Sequence, residues 1–257
     1  MTAFPPAPAT GDILLVIPAF RESRRLPAFL EPLLVALRDA RVPVRVRVVD
    51  DGSPEAEREA VRALCGRLSR EHAALMPPLL LPRNTGKGGA IRAGWDASPD
   101  DAVRGFCDAD GSIPPAEIVR LIRHLLSPDF AADALIASRA MPDAVTHGRT
   151  PFRAVLSRLF AVAVRRLVGL DVRDSQCGCK FVRRAAYDRI RDRLVENRYA
   201  FDVELLTALV DSGADFEEAG VAWRARAGGS LSPLRDGYAM LGSVVRIARR
   251  FRRRRAR

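Results

Sequence analysis

The sequence predicts an α/β fold with a mostly parallel central sheet flanked by helices, and three observations carry that expectation. Short apolar runs recur at 12–18, 44–50, 78–82, 103–108 and 132–138. Between them, 24–40, 54–71, 87–97 and 115–126 repeat apolar residues every three to four positions, the period of a helix with one buried face. Each apolar run ends in a polar stretch. Strands alternating with helices at this spacing argue for a doubly wound sheet, whose ligands bind beyond the carboxyl ends of the strands. A chain of 257 residues, 48% of them hydrophobic, is enough for one such domain.

After Asp12 the first run is continuously apolar, as suits a strand covered on both faces, and PAFRES follows it. PAFRES has no glycine, so the dinucleotide fingerprint is missing and hydride transfer is disfavoured. The second run ends in Asp50-Asp51-Gly52-Ser53, with Pro54 suited to the first helical position and Ser53 to the cap. A cap needs only one polar residue. The paired acids therefore also read as acceptors for the N–H of a base or for ribose hydroxyls.

After the third run comes RNTGKGGA, which opens a helix. It reads either as a helix N-terminus that attracts phosphate, with Lys87 adding charge, or as a glycine turn for close helix and sheet packing. It lacks the P-loop pattern, which disfavours nucleoside triphosphate hydrolysis.

The fourth run ends in CDADGS, with Ala109 between Asp108 and Asp110. In an extended chain both acids share a face, roughly 7 Å apart at Cα. A hard divalent ion such as Mg2+ or Mn2+ takes carboxylate oxygens of this kind together with substrate phosphates; an ordinary polar turn is the other reading. The fifth run ends in SRA.

The second half is less regular. A helix is expected over 150–170, a Cys/Gly stretch near 177, a helix over 199–211, a strand over 215–223 and a final helix from 233 into the tail. Asp202 and Glu204 lie two apart in a helical pattern, so at most one faces a cleft. His72, His124 and His147 have no metal spacing among them.

Of the net charge of +11, eight units come from arginines in the last twelve residues, which leaves +3 for the body. That tail could meet a membrane surface or nucleic acid, or stay solvated. Only Lys87 and Lys180 are lysines, and both sit beside glycines in unusual stretches. The four cysteines have no zinc-ribbon spacing, and no secretory segment opens the chain, so a reducing cytoplasm is expected. The longest apolar stretch, 154–170, is broken by Arg158, Arg165 and Arg166 and is not expected to span a bilayer.

Taken in order, VIPAFRES, VVDDGS, RNTGKGGAIRAG, CDADGS, ASRA, DSQCGCKF and FDVELL resemble the inverting glycosyltransferases with a nucleotide-diphosphosugar transferase (Rossmann-like) fold. Within that family, the likeness is to the dolichyl-phosphate β-glucosyltransferase and polyprenyl-phosphate glycosyltransferase branch. The resemblance implies that Pro18, Ala19 and Glu22 line a nucleotide pocket and that Asp50 or Asp51 holds uracil or ribose. It places Lys87 near base or phosphate, and Asp108 and Ala109 at the nucleotide-sugar. Asp108 and Asp110 match the family's metal-binding Asp-x-Asp, with Mg2+ or Mn2+ as cofactor. Arg139 matches an arginine that approaches the sugar diphosphate or acceptor phosphate, and Asp174, Gln176 and Lys180 match a segment bordering the sugar. Residues 223–230 look like the family's WxxxxGS loop. Cys179, where the family commonly has an aromatic, and Leu231, where a lysine often follows, depart from the pattern.

The resemblance implies transfer of a hexose from a nucleotide-diphosphosugar, a UDP-sugar being the better expectation, to a polyprenyl or dolichyl lipid phosphate. Inversion would proceed by single displacement, with Asp110, Arg139 and Asp202 at the reaction centre and Arg149 or Arg153 orienting the acceptor. A soluble hydroxyl acceptor, such as a sugar or phosphoglycerate, is the alternative, with Asp202 as general base. A basic nucleic-acid-binding protein is a second alternative; no nucleic-acid partner is expected. The domain plan is a flexible tail over 1–11, a glycosyltransferase domain over 12–232 and an amphipathic helix with a basic tail over 233–257. Apolar residues 234, 238, 241, 244, 245, 247, 248 and 251 among the tail arginines suggest a helix lying on an anionic membrane surface, with 152–170 a second candidate. The expected location is cytoplasmic, peripheral on the cytoplasmic face of the membrane.

Overall fold

The computed structural model describes residues 13–98, 100–148, 150–226 and 233–255. The expected tail at 1–11, Arg149, Leu231 and the 227–230 part of the expected loop lie outside the described residues. In chain order the strands are β1 (Ile13–Ala19), β2 (Val44–Asp50), β3 (Leu79–Leu80), β4 (Val103–Cys107), β5 (Ala134–Ser138), β6 (Val145–His147), β7 (Cys179–Arg183), β8 (Phe216–Gly220) and β9 (Ala222–Arg224). The helices are α1 (Leu26–Ala40), α2 (Glu55–Leu68), α3 (Lys87–Asp96), α4 (Pro115–Leu125), α5 (Pro151–Val168), α6 (Arg184–Ile190), α7 (Phe201–Asp211) and α8 (Pro233–Arg255).

Seven strands form one sheet in the order β3-β2-β1-β4-β7-β5-β8, and β6 pairs with β9 beside it. All pairings in the large sheet are parallel except those of β7, which runs antiparallel between β4 and β5. The expected α/β class with a mostly parallel sheet therefore holds. The alternation of side chains explains the continuous apolar runs: Ile13, Leu15 and Ile17 of β1 join the core beneath α1, α2 and α4, while Leu14 and Val16 join the core under α3, α6 and α7. Every residue of α7 from Phe201 to Leu209 is buried, so α7 is a central element and not a surface helix.

Three elements depart from the sequence reading. The run at 78–82 shortens to a two-residue edge strand, because the prolines that flank it supply no N–H to a ladder. The stretch expected over 215–223 breaks into β8 and β9, which belong to different sheets. The Cys/Gly stretch leads into β7 and α6, neither of them expected.

The fourth departure corrects the reading of the C-terminal helix as a membrane-surface element. In α8, Val244, Ile247, Ala248 and Phe251 are buried in the core shared with α5 and α7. An apolar stripe at helical spacing looks the same whether protein or lipid covers it; here protein covers those four, Leu241 stays exposed, and the side chains of 234 and 238 lie outside the described residues. Arg250 of α8 pairs with Glu204 of α7, whose carboxylate also accepts the amides of Val195 and Glu196 at 3.0 and 2.8 Å. Glu204 thus faces away from its neighbour Asp202, as the helical spacing required. Among the described residues no helix is long and apolar enough to cross a membrane.

Candidate active site

The carboxyl ends of β1, β2, β4 and β5 open into one cleft of about 1380 Å³. Pro18 and Ala19 line it from the end of β1, with Glu22 from the loop that follows. Asp51 enters after β2, Lys87 from the first turn of α3, and Asp108, Ala109 and Asp110 after β4. Arg139, Asp174 and Gln176 close the far wall. Three expected residues sit back from the surface: Asp50 is buried and accepts the Ser53 amide at 2.9 Å, and Lys180 and Asp202 lie buried beneath Lys87.

Asp51 explains how the Gly-rich loop is shaped. Its carboxylate accepts the Thr85 amide, the Thr85 hydroxyl and the Gly86 amide, each at 2.7 Å. Gly86 has φ +93°, and a β-carbon there would collide with the backbone oxygen of Asn197; one at Gly88 would strike Phe201. Gly89 donates its amide to that same Asn197 oxygen at 3.1 Å. These glycines therefore serve close packing against the loop before α7. Of the two sequence readings of RNTGKGGA, the packing turn describes the amides of Gly86 and Gly89, and the cleft receives the Lys87 side chain.

Lys87 joins two carboxylates, lying 2.9 Å from Asp108 Oδ1 and 3.1 Å from Asp202 Oδ2. Lys180 Nζ pairs with the other oxygen of Asp202 and donates to the Cys177 carbonyl at 2.7 Å. Burial pushes the Asp202 carboxyl up, but the two ammonium groups outweigh it and hold its pKa below the usual carboxylate range. Asp108 moves the other way. Enclosure by neighbouring atoms, then the like charges of Asp110 and Asp202, raise its pKa against the pull of Lys87, although one side opens to the cleft.

Asp110 is held differently, its two oxygens accepting the Ser112 amide at 2.8 Å and the Ser112 hydroxyl at 2.9 Å. Each oxygen keeps a free lone pair. Among the described residues no three His, Cys, Asp or Glu side chains form a complete metal cage. Two carboxylates on one loop fit an ion of the Mg2+ or Mn2+ type, which completes its shell with water and substrate phosphate. Two buried donors on the same cleft have no partner among the described residues, Gln176 Nε2 and a terminal guanidinium nitrogen of Arg25. A polar, anionic ligand would satisfy both.

Gly178 sets the position of Asp108. Its carbonyl accepts the Asp108 amide at 2.8 Å, and a β-carbon on it would collide with the Asp108 carboxylate. Gly178→Ala must push that carboxylate aside. Because a misplacement of about 1 Å at a reaction centre can cost ~100-fold, we expect kcat/KM to fall by that order with the fold retained. Steady-state kinetics beside a circular dichroism melt would check it, and unchanged kinetics would remove Gly178 from this role.

Arg139 and Asp174 form a bidentate pair at 2.6 and 2.8 Å, with the Arg139 amide adding a third bond at 3.0 Å. Burial alone would raise the Asp174 pKa; the guanidinium outweighs it and holds the carboxyl at about 2. The pair therefore contributes fully at and above the ordinary aspartate range near pH 4, and the contribution is lost as pH falls toward about 2. We expect Asp174→Asn to cost about 2 kcal/mol near neutrality and almost nothing at the acid end, read from denaturant unfolding at several pH values.

The cleft also takes in residues that no motif marked. Arg25 pairs with Glu22, and Arg198 and Tyr199 enter from the loop before α7. That loop carries no repeat or glycine pattern, so its only signal was its place just ahead of FDVELL. A largely apolar part of the lining comes from Leu156, Leu159, Phe160 and Val162 of α5, with Ser157 and Arg158 among them, and from Met240 and Leu241 of α8.

Residues 14–191 match the model of the family described as "Glycosyl transferase family 2". The chain is 31% identical to dolichyl-phosphate beta-glucosyltransferase of Drosophila melanogaster over 86% of this chain and 70% of that protein. It is 30% identical to the human protein of the same name over 87% and 71%. It is 28% identical to polyprenol monophosphomannose synthase of Mycolicibacterium smegmatis over 84% and 79%. Among solved structures, glucosyl-3-phosphoglycerate synthase of Mycobacterium tuberculosis in complex with UDP superposes with a TM-score of 0.64 at 18% identity, over 93% of this chain and 79% of that one. Its complex with Mn2+, UDP and glucosyl-3-phosphoglycerate gives 0.62 at 18% identity, over 91% and 77%. At that identity the likeness speaks to the fold.

Proposed function

The chain belongs to glycosyl transferase family 2, and from that premise we propose that it moves a hexose from a nucleotide-diphosphosugar, a UDP-sugar in our reading, to a polyprenyl or dolichyl lipid phosphate, with inversion at the anomeric carbon. One observation carries the acceptor assignment. The cleft runs without a break from the Asp108, Asp110, Lys87 and Arg139 end to the apolar wall of α5 and α8, which suits a phosphate borne on a long apolar chain. The names of the Drosophila, human and mycolicibacterial relatives support the same class of acceptor.

The residues divide the work. Asp51, Pro18 and Ala19 form the nucleotide end, and Gln176 offers its unpaired amide to a sugar hydroxyl. Asp108 and Asp110 would hold the divalent ion, which when bound neutralises charge on the leaving diphosphate. Arg139, fixed by Asp174, presents a guanidinium face to an anionic group in the cleft. The acceptor phosphate is largely ionised near neutrality, because the second pKa of a monoester is about 6, so no strong base is required.

This bears on the rival with a soluble hydroxyl acceptor. Both oxygens of Asp202 are engaged by ammonium groups and its pKa is lowered, which makes it a poor proton acceptor. We read Asp202 as a positioning residue that holds Lys87 and Lys180. Asp202→Asn should lower stability and leave the acidic limb of the pH–rate profile in place; loss of that limb would identify a base and favour the hydroxyl acceptor. The nucleic-acid-binding alternative rested on the arginine tail. Arg246 and Arg250 of that tail lie against Glu196, at 3.9 Å, and Glu204.

The deciding experiment offers a panel of nucleotide-sugars with a short polyprenyl phosphate in one arm and phosphoglycerate in another. Products are read by mass spectrometry and their anomeric configuration by NMR. Transfer to phosphoglycerate alone would overturn the acceptor assignment, and product with the donor's configuration would overturn inversion.

A further inference from the structure

We propose that the outer face of α5, with the arginines that flank it, docks the protein on an anionic lipid bilayer. Phe152, Val155, Leu159 and Val162 are 60, 53, 61 and 48% exposed, although all are large and apolar. Their spacing of three, four and three residues puts them in one stripe along the helix, roughly 15 Å long at 1.5 Å per residue. The helix uses its other side, Val164 and Val168, for the core. An apolar stripe of this length on a surface marks an interaction site.

Charge chooses the occupant. Arg158, Arg165 and Arg166 are exposed on α5, which contains no acidic residue. Arg249, Arg252 and Arg253 are exposed on α8, and Arg252 reaches the Leu167 carbonyl of α5 at 3.2 Å, so the two helices present one basic rim. Two copies meeting through this face would bring like charges together, whereas anionic headgroups complement it. An apolar stripe with arginines beside it is the makeup of a helix lying in the headgroup plane. The membrane-facing role expected of α8 thus passes to its neighbour, with α8 as its brace. The surface gains its purpose from the lipid-phosphate reading, since Leu159 and Val162 also line the cleft that would admit the acceptor.

The test uses the full chain and vesicles without acceptor. Phe152 and Val155 lie outside the cleft lining, so the Phe152→Gln, Val155→Gln double variant and the Arg165→Gln, Arg166→Gln double variant probe docking without touching the site. Both change exposed side chains, and a thermal melt confirms that they fold. Wild type should sediment with vesicles of phosphatidylcholine and phosphatidylglycerol, far less with phosphatidylcholine alone, and less as salt rises. Each double variant should lower the partition coefficient by about tenfold or more, and both should keep the wild-type rate on a short water-soluble acceptor. Failure of wild type to bind anionic vesicles, or equal binding by the variants, would overturn the proposal. So would light scattering that shows a wild-type dimer abolished by the Phe152 variant. Vesicle binding as expected with no transfer to any lipid phosphate would leave the surface standing and sink the functional reading alone.

Discussion

Asp110→Ala is expected to lower turnover by on the order of a thousandfold or more, while the thermal midpoint barely moves. The two halves of that result come from different roles of one side chain. Structurally, Asp110 does no more than close the turn onto Ser112, through bonds of 2.8 and 2.9 Å in a partly open loop. Such bonds contribute on the order of 1–2 kcal/mol each, and in an open turn water can replace them. In the proposed reaction, Asp110 would face the place where charge develops on the leaving diphosphate. Neighbouring Asp108 already has Lys87 as a counter-ion at 2.9 Å, so Asp110 is the freer of the two for a divalent ion. Charge stabilisation of that kind amounts to several kcal/mol in the transition state, and each 1.36 kcal/mol is a factor of ten. Mn2+ binding in the presence of UDP should weaken in parallel, measured by calorimetry. Near-wild-type turnover while Mg2+ or Mn2+ is titrated would sink the metal assignment.

How much of this was legible without coordinates depends on what each residue touches. The strand β1 was plain because it is apolar throughout, and β2 and β4 because valines, Phe106 and Cys107 dominate them despite Arg45, Arg47 and Arg104; the polar ends of all three marked the cleft. The separation of Asp202 from Glu204 followed from helical geometry alone. In contrast, β7 was hidden: its sequence, CKFVR, places a lysine in mid-strand, and only the buried carboxylate of Asp202 makes that lysine tolerable. The stripe of α8 was visible but its partner was not, since periodicity says which face is covered and never by what. For α5 the same limit worked in reverse, and the exposed side chains of Phe152 and Leu159 appeared only once the core had claimed Val164 and Val168. Gly178 was part of a motif from the start. Its reason, the Asp108 carboxylate lying against it, came from the antiparallel pairing of β4 with β7 that the sequence had concealed.

The largest loss of stability is expected from Lys180→Met. Lys180 and Asp202 are each 1% exposed, and the ammonium also lies 5.4 Å from the centre of the Phe106 ring and donates to Cys177. Removing one partner of a buried pair leaves the other charge without its full complement, at a cost of roughly 3–5 kcal/mol. For a domain of this size that is a fall on the order of 10 °C in thermal midpoint. Lys180→Arg should not restore it, because a planar guanidinium is bulkier than the ammonium the packed strand encloses. The double variant Lys180→Met with Asp202→Leu should cost less than the two single changes summed, since it removes the stranded charge as well as the pair. The pH dependence gives a further check. Asp202 has a folded pKa below its unfolded one, so its contribution is present above the ordinary aspartate range and is lost as pH falls through the depressed value. The difference between wild type and Lys180→Met should therefore be widest near neutrality and narrow in acid. A difference that stayed constant with pH would mean that packing of the lysine stem, and not its charge, is what the fold requires.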